Sequence, residues 1–265
     1  MKTTPAGVPA FSFVRGPVAC LLIHGFGDTA TLMEPMGSHL SAQGITTKGI
    51  TLPGHGTTLE DFAKVSNQKL LAMVEAEYTE LKDSFEAVVL VGFSMGGLLA
   101  LHLATMRDVE GIVTICAPAF PFGGRIGEKA IKFVAKLGAP LGTRFPKMGF
   151  TSLSDKTLSH YLVGYKSYPS RSVLRLVELM ESTRTVVSRV NAPILIVQSQ
   201  RDDVIWKNSG KYIFDSVKSE EKRLLLLENS RHKAPIDRDR LLLFEEISKF
   251  CLSRTKKPGS TSGNQ

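Results

Sequence analysis

Ser94 lies in Gly92-Phe93-Ser94-Met95-Gly96, directly after the apolar run Ala87 to Val91 and just before a helix-like apolar stretch from Gly97 to Arg107. A serine flanked by glycines at a strand-to-helix turn suits nucleophilic attack on a carbonyl. The strained turn leaves no room for side chains beside the serine and presents its hydroxyl at the edge of a sheet. Outside that context the same five residues would be a Gly-rich turn with an incidental serine. A neutral hydroxyl is a weak nucleophile near pH 7, so Ser94 needs a base, and the base needs an acid to orient it and stabilise its charged form.

Of the six histidines, His232 follows the last apolar run, Arg223 to Leu227, in the loop Glu228-Asn229-Ser230-Arg231-His232. The chain order serine, acid, histidine places the base there, although a surface-loop histidine is the simpler alternative for any one position. His39, His102 and His160 have no such placement and read as structural or exposed. The acid belongs just beyond the run Ile194 to Val197, where Asp202 and Asp203 are adjacent. Asp202 is the expected partner, because Ile205 three positions on can anchor the loop. Asp203 stays open as the alternative. Acyl transfer also needs donors aimed at the developing oxyanion. The backbone N–H of Met95 is one candidate and that of Phe26, in His24-Gly25-Phe26-Gly27 after the run Val18 to Ile23, is the other. Leu52-Pro53-Gly54-His55-Gly56 carries no evident acid-base partner and reads as a structural turn, with Thr57 or Thr58 capping a helix behind it.

Six apolar runs supply the elements that hold these residues: Val18 to Ile23, Ile45 to Thr51, Ala87 to Val91, Gly111 to Cys116, Ile194 to Val197 and Arg223 to Leu227. They lack apolar-polar alternation, which suits strands buried on both faces. Helical periods fall between them, at Lys69 to Asp83, Gly97 to Arg107 and Leu241 to Cys251, so the expected fold class is α/β with a doubly wound, mostly parallel sheet. About 75 residues separate Pro118 from Pro193, where a simple crossover needs a dozen or more. The expectation is a core of residues 1–118 and 190–253, an inserted helical cap at 119–189, and a disordered polar tail at 254–265. Within the cap, Ile126 to Leu137 puts Ala130, Ile131, Phe133, Val134 and Leu137 on one side and Lys129, Lys132 and Lys136 on the other. Arg171 to Met180 repeats the design, and Gly138 to Phe150 reads as a loop.

Together, the His24 and Leu52 turns, Gly92 to Gly97, Asp202 and His232 resemble the small bacterial carboxylesterases and monoacylglycerol lipases of the α/β-hydrolase superfamily. The likeness spans nearly the whole core and stops at the cap. It implies an α/β-hydrolase fold, a cap over an acyl pocket, a backbone oxyanion hole at Phe26 and Met95, and two-step ester hydrolysis with neither cofactor nor metal. The reading that follows is a serine carboxylesterase for hydrophobic acyl groups. A monoacylglycerol lipase or a thioesterase uses the same triad, and a non-catalytic binding protein of the same fold is the alternative from another class. Phe120, Phe122, Phe133, Leu137, Leu141 and Phe150 are the expected apolar lining of the acyl pocket, unless they only pack the cap onto the core.

The chain has 265 residues and 43% hydrophobic residues, enough for a sizeable core. Its net charge of +8 is uneven, because residues 119–189 hold 12 basic against 4 acidic residues and therefore the whole excess. No nucleic-acid-binding motif accompanies them, so no nucleic-acid partner is expected. A solvated lysine face is the simpler reading, and attraction to an anionic membrane surface the less favoured one. Cys20, Cys116 and Cys251 are odd in number and far apart, as buried thiols would be. No apolar run reaches the roughly 18 residues of a membrane span and Met1 to Phe13 lacks an apolar leader core, so the expected location is cytoplasmic and the expected partner a small-molecule ester.

Overall fold

The structure is a computed structural model that describes residues 10–146 and 153–254. Its strands are β1 (Phe11–Phe13), β2 (Val18–Ile23), β3 (Thr46–Ile50), β4 (Ala87–Phe93), β5 (Gly111–Ile115), β6 (Arg144–Pro146), β7 (Ser167–Pro169), β8 (Ile194–Ser199) and β9 (Lys222–Leu227). The helices are α1 (Glu34–Ala42), α2 (Leu59–Lys64), α3 (Asn67–Lys82), α4 (Met95–Ala104), α5 (Gly124–Gly138), α6 (Ser170–Val186), α7 (Ser209–Ser216) and α8 (Arg240–Leu252). Seven strands make one sheet in the order β1-β3-β2-β4-β5-β8-β9, all parallel except β1, which runs antiparallel to β3 at one edge.

Every residue of β2, β4, β5 and β8 is buried, which is why these segments read as unbroken apolar runs. Alternate residues serve opposite faces. Leu21 and Leu90 pack with Leu98 and Leu101 of α4 and with Val74 of α3, while Leu22 and Val91 pack with Met36 of α1 and Ile247 of α8. Helix α4 is apolar almost all round because it lies between the sheet, α3 and α6. The three cysteines are free and buried.

From β2 the chain steps outward to β3 and then returns to β4 on the other side of β2. The connections leaving the carboxyl ends of β2 and β4 therefore diverge and open a crevice between them. On the far side of β4, β5 and β8 are register partners (Ile112 with Ile194), although α5, β6, β7 and α6 intervene in sequence. That excursion sits over the carboxyl edge of the sheet. Arg184 of α6 ties it down, donating to Glu128 of α5 at 2.8 Å and to the Ala119 carbonyl at 2.6 Å, with its guanidinium over the Phe120 ring. Tyr165 fastens it to the Leu52 to Gly56 turn, donating to the Gly54 carbonyl at 2.5 Å.

Two expectations for this segment are corrected. Residues 138–150 are not all loop, since β6 pairs antiparallel with β7; residues 147–150 lie outside the described residues, as does the tail from 255 on. Most of the apolar side of α5, Ile131 apart, also faces away from the protein. Ile126 is 83% exposed, Phe133 65% and Leu137 59%, and the helix instead approaches α6 through Ala135, Gly138 and the Glu128 and Lys132 ion pairs. Periodicity reveals that a helix has an apolar stripe but not which neighbour the stripe meets.

Candidate active site

At the carboxyl end of β4 the chain turns sharply into α4 through Ser94, whose φ of 52° is left-handed and strained for a residue with a side chain. The flanking glycines make the turn feasible. A Cβ on Gly92 would come within 2.3 Å of the Gly96 carbonyl oxygen, and one on Gly96 within 2.2 Å of the Ile23 carbonyl oxygen. The Ser94 N–H is held by the Ile115 carbonyl at 2.8 Å, so the strain is supported by the neighbouring strand.

His232 Nε2 lies 3.1 Å from Ser94 Oγ, and His232 Nδ1 lies 2.8 Å from Asp202 Oδ2. All three residues are buried. An ionised Asp202 can only accept, so Nδ1 carries the ring proton and Nε2 is left to accept from the Ser94 hydroxyl. Burial pushes the Asp202 carboxyl up, but the facing His232 and the N–H groups of Val204 and Ile205 outweigh it and hold the carboxyl below its ordinary range. Those two N–H groups reach Asp202 Oδ1 at 2.9 and 3.1 Å and fix the carboxylate plane. Asp203 points elsewhere, to an ion pair with Arg231 at 2.7 Å. Ile205, buried beneath the loop, directs Asp202 inward as its spacing suggests.

Phe26 stands in the loop after β2. Met95 is the first residue of α4, so its N–H belongs to the first helical turn, which has no intrahelical acceptor. His24 shapes the Phe26 loop. Its Nε2 accepts the Leu52 N–H at 3.0 Å, which leaves the proton on Nδ1 to reach the Gly25 carbonyl at 2.8 Å. Burial lowers the His24 pKa to about 4, and burial together with neighbouring His24 lowers that of His55 to about 3, so both rings are neutral.

A cavity of about 200 Å³ opens on Ser94 and His232. Its apolar wall includes Ile131, Phe145, Val173, Leu176, Met180 and Ile205. The aromatic lining expected from the sequence is mostly elsewhere. Phe122, Phe133, Leu137 and Leu141 are exposed, Phe120 packs on Trp206, Tyr212 and Arg184, and Phe150 lies outside the described residues. Sequence reasoning also missed two charged residues in the wall, Asp28 and Lys233, paired at 2.5 Å. Their positions beside the Phe26 loop and next to His232 were the available signal.

Cys116, Asp202 and His232 offer atoms within 4.8 Å of one another, yet they do not suit a metal ion. Burial, foremost, and the Asp202 charge push the Cys116 thiol far up, and both His232 nitrogens are engaged by Asp202 and Ser94. Among the described residues no helix is long and apolar enough to cross a membrane.

The chain is 32% identical over 250 residues to a thermostable monoacylglycerol lipase of Bacillus sp. (strain H-257), covering 92% of this chain and 94% of the relative. It is 25% identical to a carboxylesterase of Bacillus subtilis (strain 168), covering 91% and 94%. Among solved structures it superposes on a metagenome-derived lipolytic enzyme with a TM-score of 0.84, at 26% identity and with 94% and 99% of the two chains covered. A monoglyceride lipase of Saccharomyces cerevisiae, at 16% identity over 94% and 92% of the two chains, shares the fold with a TM-score of 0.78. Residues 17–239 match the family described as Serine aminopeptidase, S33. With that match, the mostly parallel seven-stranded sheet and its esterase and lipase relatives, the chain belongs to this family of α/β-hydrolases and is of the esterase and lipase kind.

Proposed function

We propose that the protein is a serine carboxylesterase that hydrolyses carboxylic esters of hydrophobic acyl groups through an acyl-enzyme intermediate. The observation that carries this is the hydrogen-bonded line Asp202, His232, Ser94 ending in a cavity whose wall is largely apolar. In this reading His232 takes the Ser94 proton as Oγ attacks the ester carbonyl, and Asp202 stabilises the imidazolium that forms. The Phe26 and Met95 N–H groups receive the oxyanion. His232 then returns the proton to the departing alcohol, and a water activated by the same base releases the acid and regenerates Ser94.

A fluorophosphonate probe should label the wild-type protein once, at Ser94, and should not label Ser94→Ala. Labelling that survives the substitution would overturn the assignment. A kcat/KM series on aryl esters of rising acyl length tests the apolar pocket, with an acyl thioester and an aminoacyl amide alongside; preference for either of the last two overturns the ester reading.

A second reading, a monoacylglycerol lipase, is favoured by the 32% identical relative of that name and by the charged pair in an otherwise apolar cavity wall. The outward apolar stripe of α5, flanked by Arg125, Lys129 and Lys136, supports work at a lipid surface in either case.

A further inference from the structure

Another hollow, of about 320 Å³, shares no lining residue with the cavity that opens on Ser94. Leu153, Ser154, Lys156, Arg201, Arg231 and Arg238 line it, so four of its six lining residues are cationic and none is acidic. Arg231 is paired with Asp203 at 2.7 Å. The side chains of Lys156, Arg201 and Arg238 are exposed and have no hydrogen-bond or ion-pair partner among the described residues. The remainder of the chain, residues 1–9, 147–152 and 255–265, contains no Asp or Glu that could neutralise them.

These cations are gathered by one wholly buried carboxylate, that of Asp237. Its Oδ1 accepts from the N–H groups of Ser154 and Asp155 at 2.8 Å and of Arg238 at 2.9 Å, and its Oδ2 accepts from the Arg231 N–H at 2.7 Å. Asp155 is the residue before Lys156, so the backbones that carry three of the four cations are bonded to a single side chain. Arg201, the fourth, precedes Asp202, whose carboxylate is itself held by the Val204 and Ile205 N–H groups. Like charges brought together oppose folding, whereas a concave surface lined by one sign concentrates counter-ions. An arrangement that costs stability and is nonetheless firmly built calls for an anionic ligand.

The donors define that anion. Guanidinium groups present planar forks that fit phosphate oxygens, and a lysine adds a point charge. A phosphate group carries close to two negative charges at neutral pH and turns oxygens to several sides, so it can meet cations from several segments at once. A carboxylate brings half that charge, on two oxygens in one plane. We infer that the hollow between Lys156, Arg201, Arg231 and Arg238 is a binding site for a phosphate group, carried either by a small soluble compound or by a lipid headgroup. The site lies outside the ester chemistry and stands whether or not Ser94 is a nucleophile. Arg201 and Arg231 directly precede Asp202 and His232, so the two sites share their loops although they share no lining residue.

Inorganic phosphate titrated calorimetrically into the whole protein at constant ionic strength should show one saturable site. Arg201→Gln combined with Arg238→Gln should weaken it at least about tenfold, as the loss of a charge-assisted hydrogen bond does. Lys129→Gln combined with Lys136→Gln removes the same charge from α5 and should leave binding within about twofold of wild type, since surface charges farther away than a Debye length are screened. No saturable binding to the wild-type protein overturns the inference without any variant. Equal weakening in the two double variants shows a general effect of net charge and also overturns it. Sedimentation with phosphatidylcholine vesicles, with and without phosphatidic acid, separates the two sources. Binding that needs phosphatidic acid and is lost in the arginine variant identifies a lipid headgroup, whereas binding of inorganic phosphate alone identifies a soluble phosphate compound.

Discussion

Ile23 of β2 is the register partner of Gly92 of β4, and the residues three positions beyond each are Phe26 and Met95. Adjacent parallel strands thus send the loop carrying Phe26 and the turn carrying Met95, the proposed oxyanion donors, out of the same carboxyl edge of the sheet. The closeness this demands is visible at Gly96, which has no room for a Cβ against the Ile23 carbonyl.

Gly96→Ala should therefore destabilise the fold as well as slow catalysis. The clash is with backbone, which cannot rotate away, and overpacking of this kind costs about 1–3 kcal/mol. At roughly 2–4 °C per kcal/mol for a domain of this size, calorimetry should record a clear fall in Tm. An unchanged Tm would mean that β2 and the elbow are not in such close contact.

Asp202 and Asp203 are neighbours in sequence with different partners, His232 and Arg231. Asp202→Asn should lower kcat on the order of 10⁴-fold by upsetting the His232 tautomer. Asp203→Asn loses a surface ion pair worth about 0–1 kcal/mol and should leave kcat within about threefold of wild type. Equal losses in the two variants, measured by steady-state kinetics on one aryl ester, would contradict the assignment.

The buried neutral histidines set a lower pH limit on stability. His24 and His55 titrate at about 4 and 3 in the folded protein against an ordinary value of 6.5, so the unfolded chain binds more protons between those values. Their contribution is whole above pH 6.5 and is lost as pH falls from there through 4 and 3. For His24 the loss amounts to roughly 3 kcal/mol, about 1.4 kcal/mol for each pH unit of displacement. Urea unfolding at a series of pH values should show stability declining below pH 6.5. A flat profile from pH 6.5 down to pH 4 would show that His24 is not held neutral.

The outward stripe of α5 makes a prediction of the opposite kind. Phe133→Ser combined with Leu137→Ser should change stability by no more than about 0.5 kcal/mol per site, as surface substitutions do. Were these side chains in a core, truncating them would cost about 2–5 kcal/mol each. Thermal melting of the double variant distinguishes the two, with a steep fall in Tm counting against the observed orientation.

The core was legible because its strands are buried on both faces. Val18 to Ile23 begins and ends where β2 does, and the other runs differ from their strands by at most a few residues at either end. Ser94, His232 and Asp202 could be grouped from the sequence because a strand-to-helix elbow and the loops after later strands converge at one edge of such a sheet, and the three do lie within hydrogen-bond reach. The excursion was harder for two reasons. The β6 and β7 strands are three residues each, too short for any periodic signal, and the α5 stripe has a period but no address. The Asp28 and Lys233 pair depends on two loops 205 residues apart meeting beside Ser94, and neither residue is unusual in its own loop.

Phe145 of β6 and Tyr168 of β7 are register partners, and both line the cavity. One wall of the binding site is thus a two-stranded ribbon that shares no hydrogen-bonded edge with the main sheet. The proposed nucleophile and base are positioned by the sheet, whereas this part of the cavity's shape is set by the ribbon. Substitutions in the ribbon can consequently alter what the cavity accepts while leaving the strained turn at Ser94 and its supporting strands untouched.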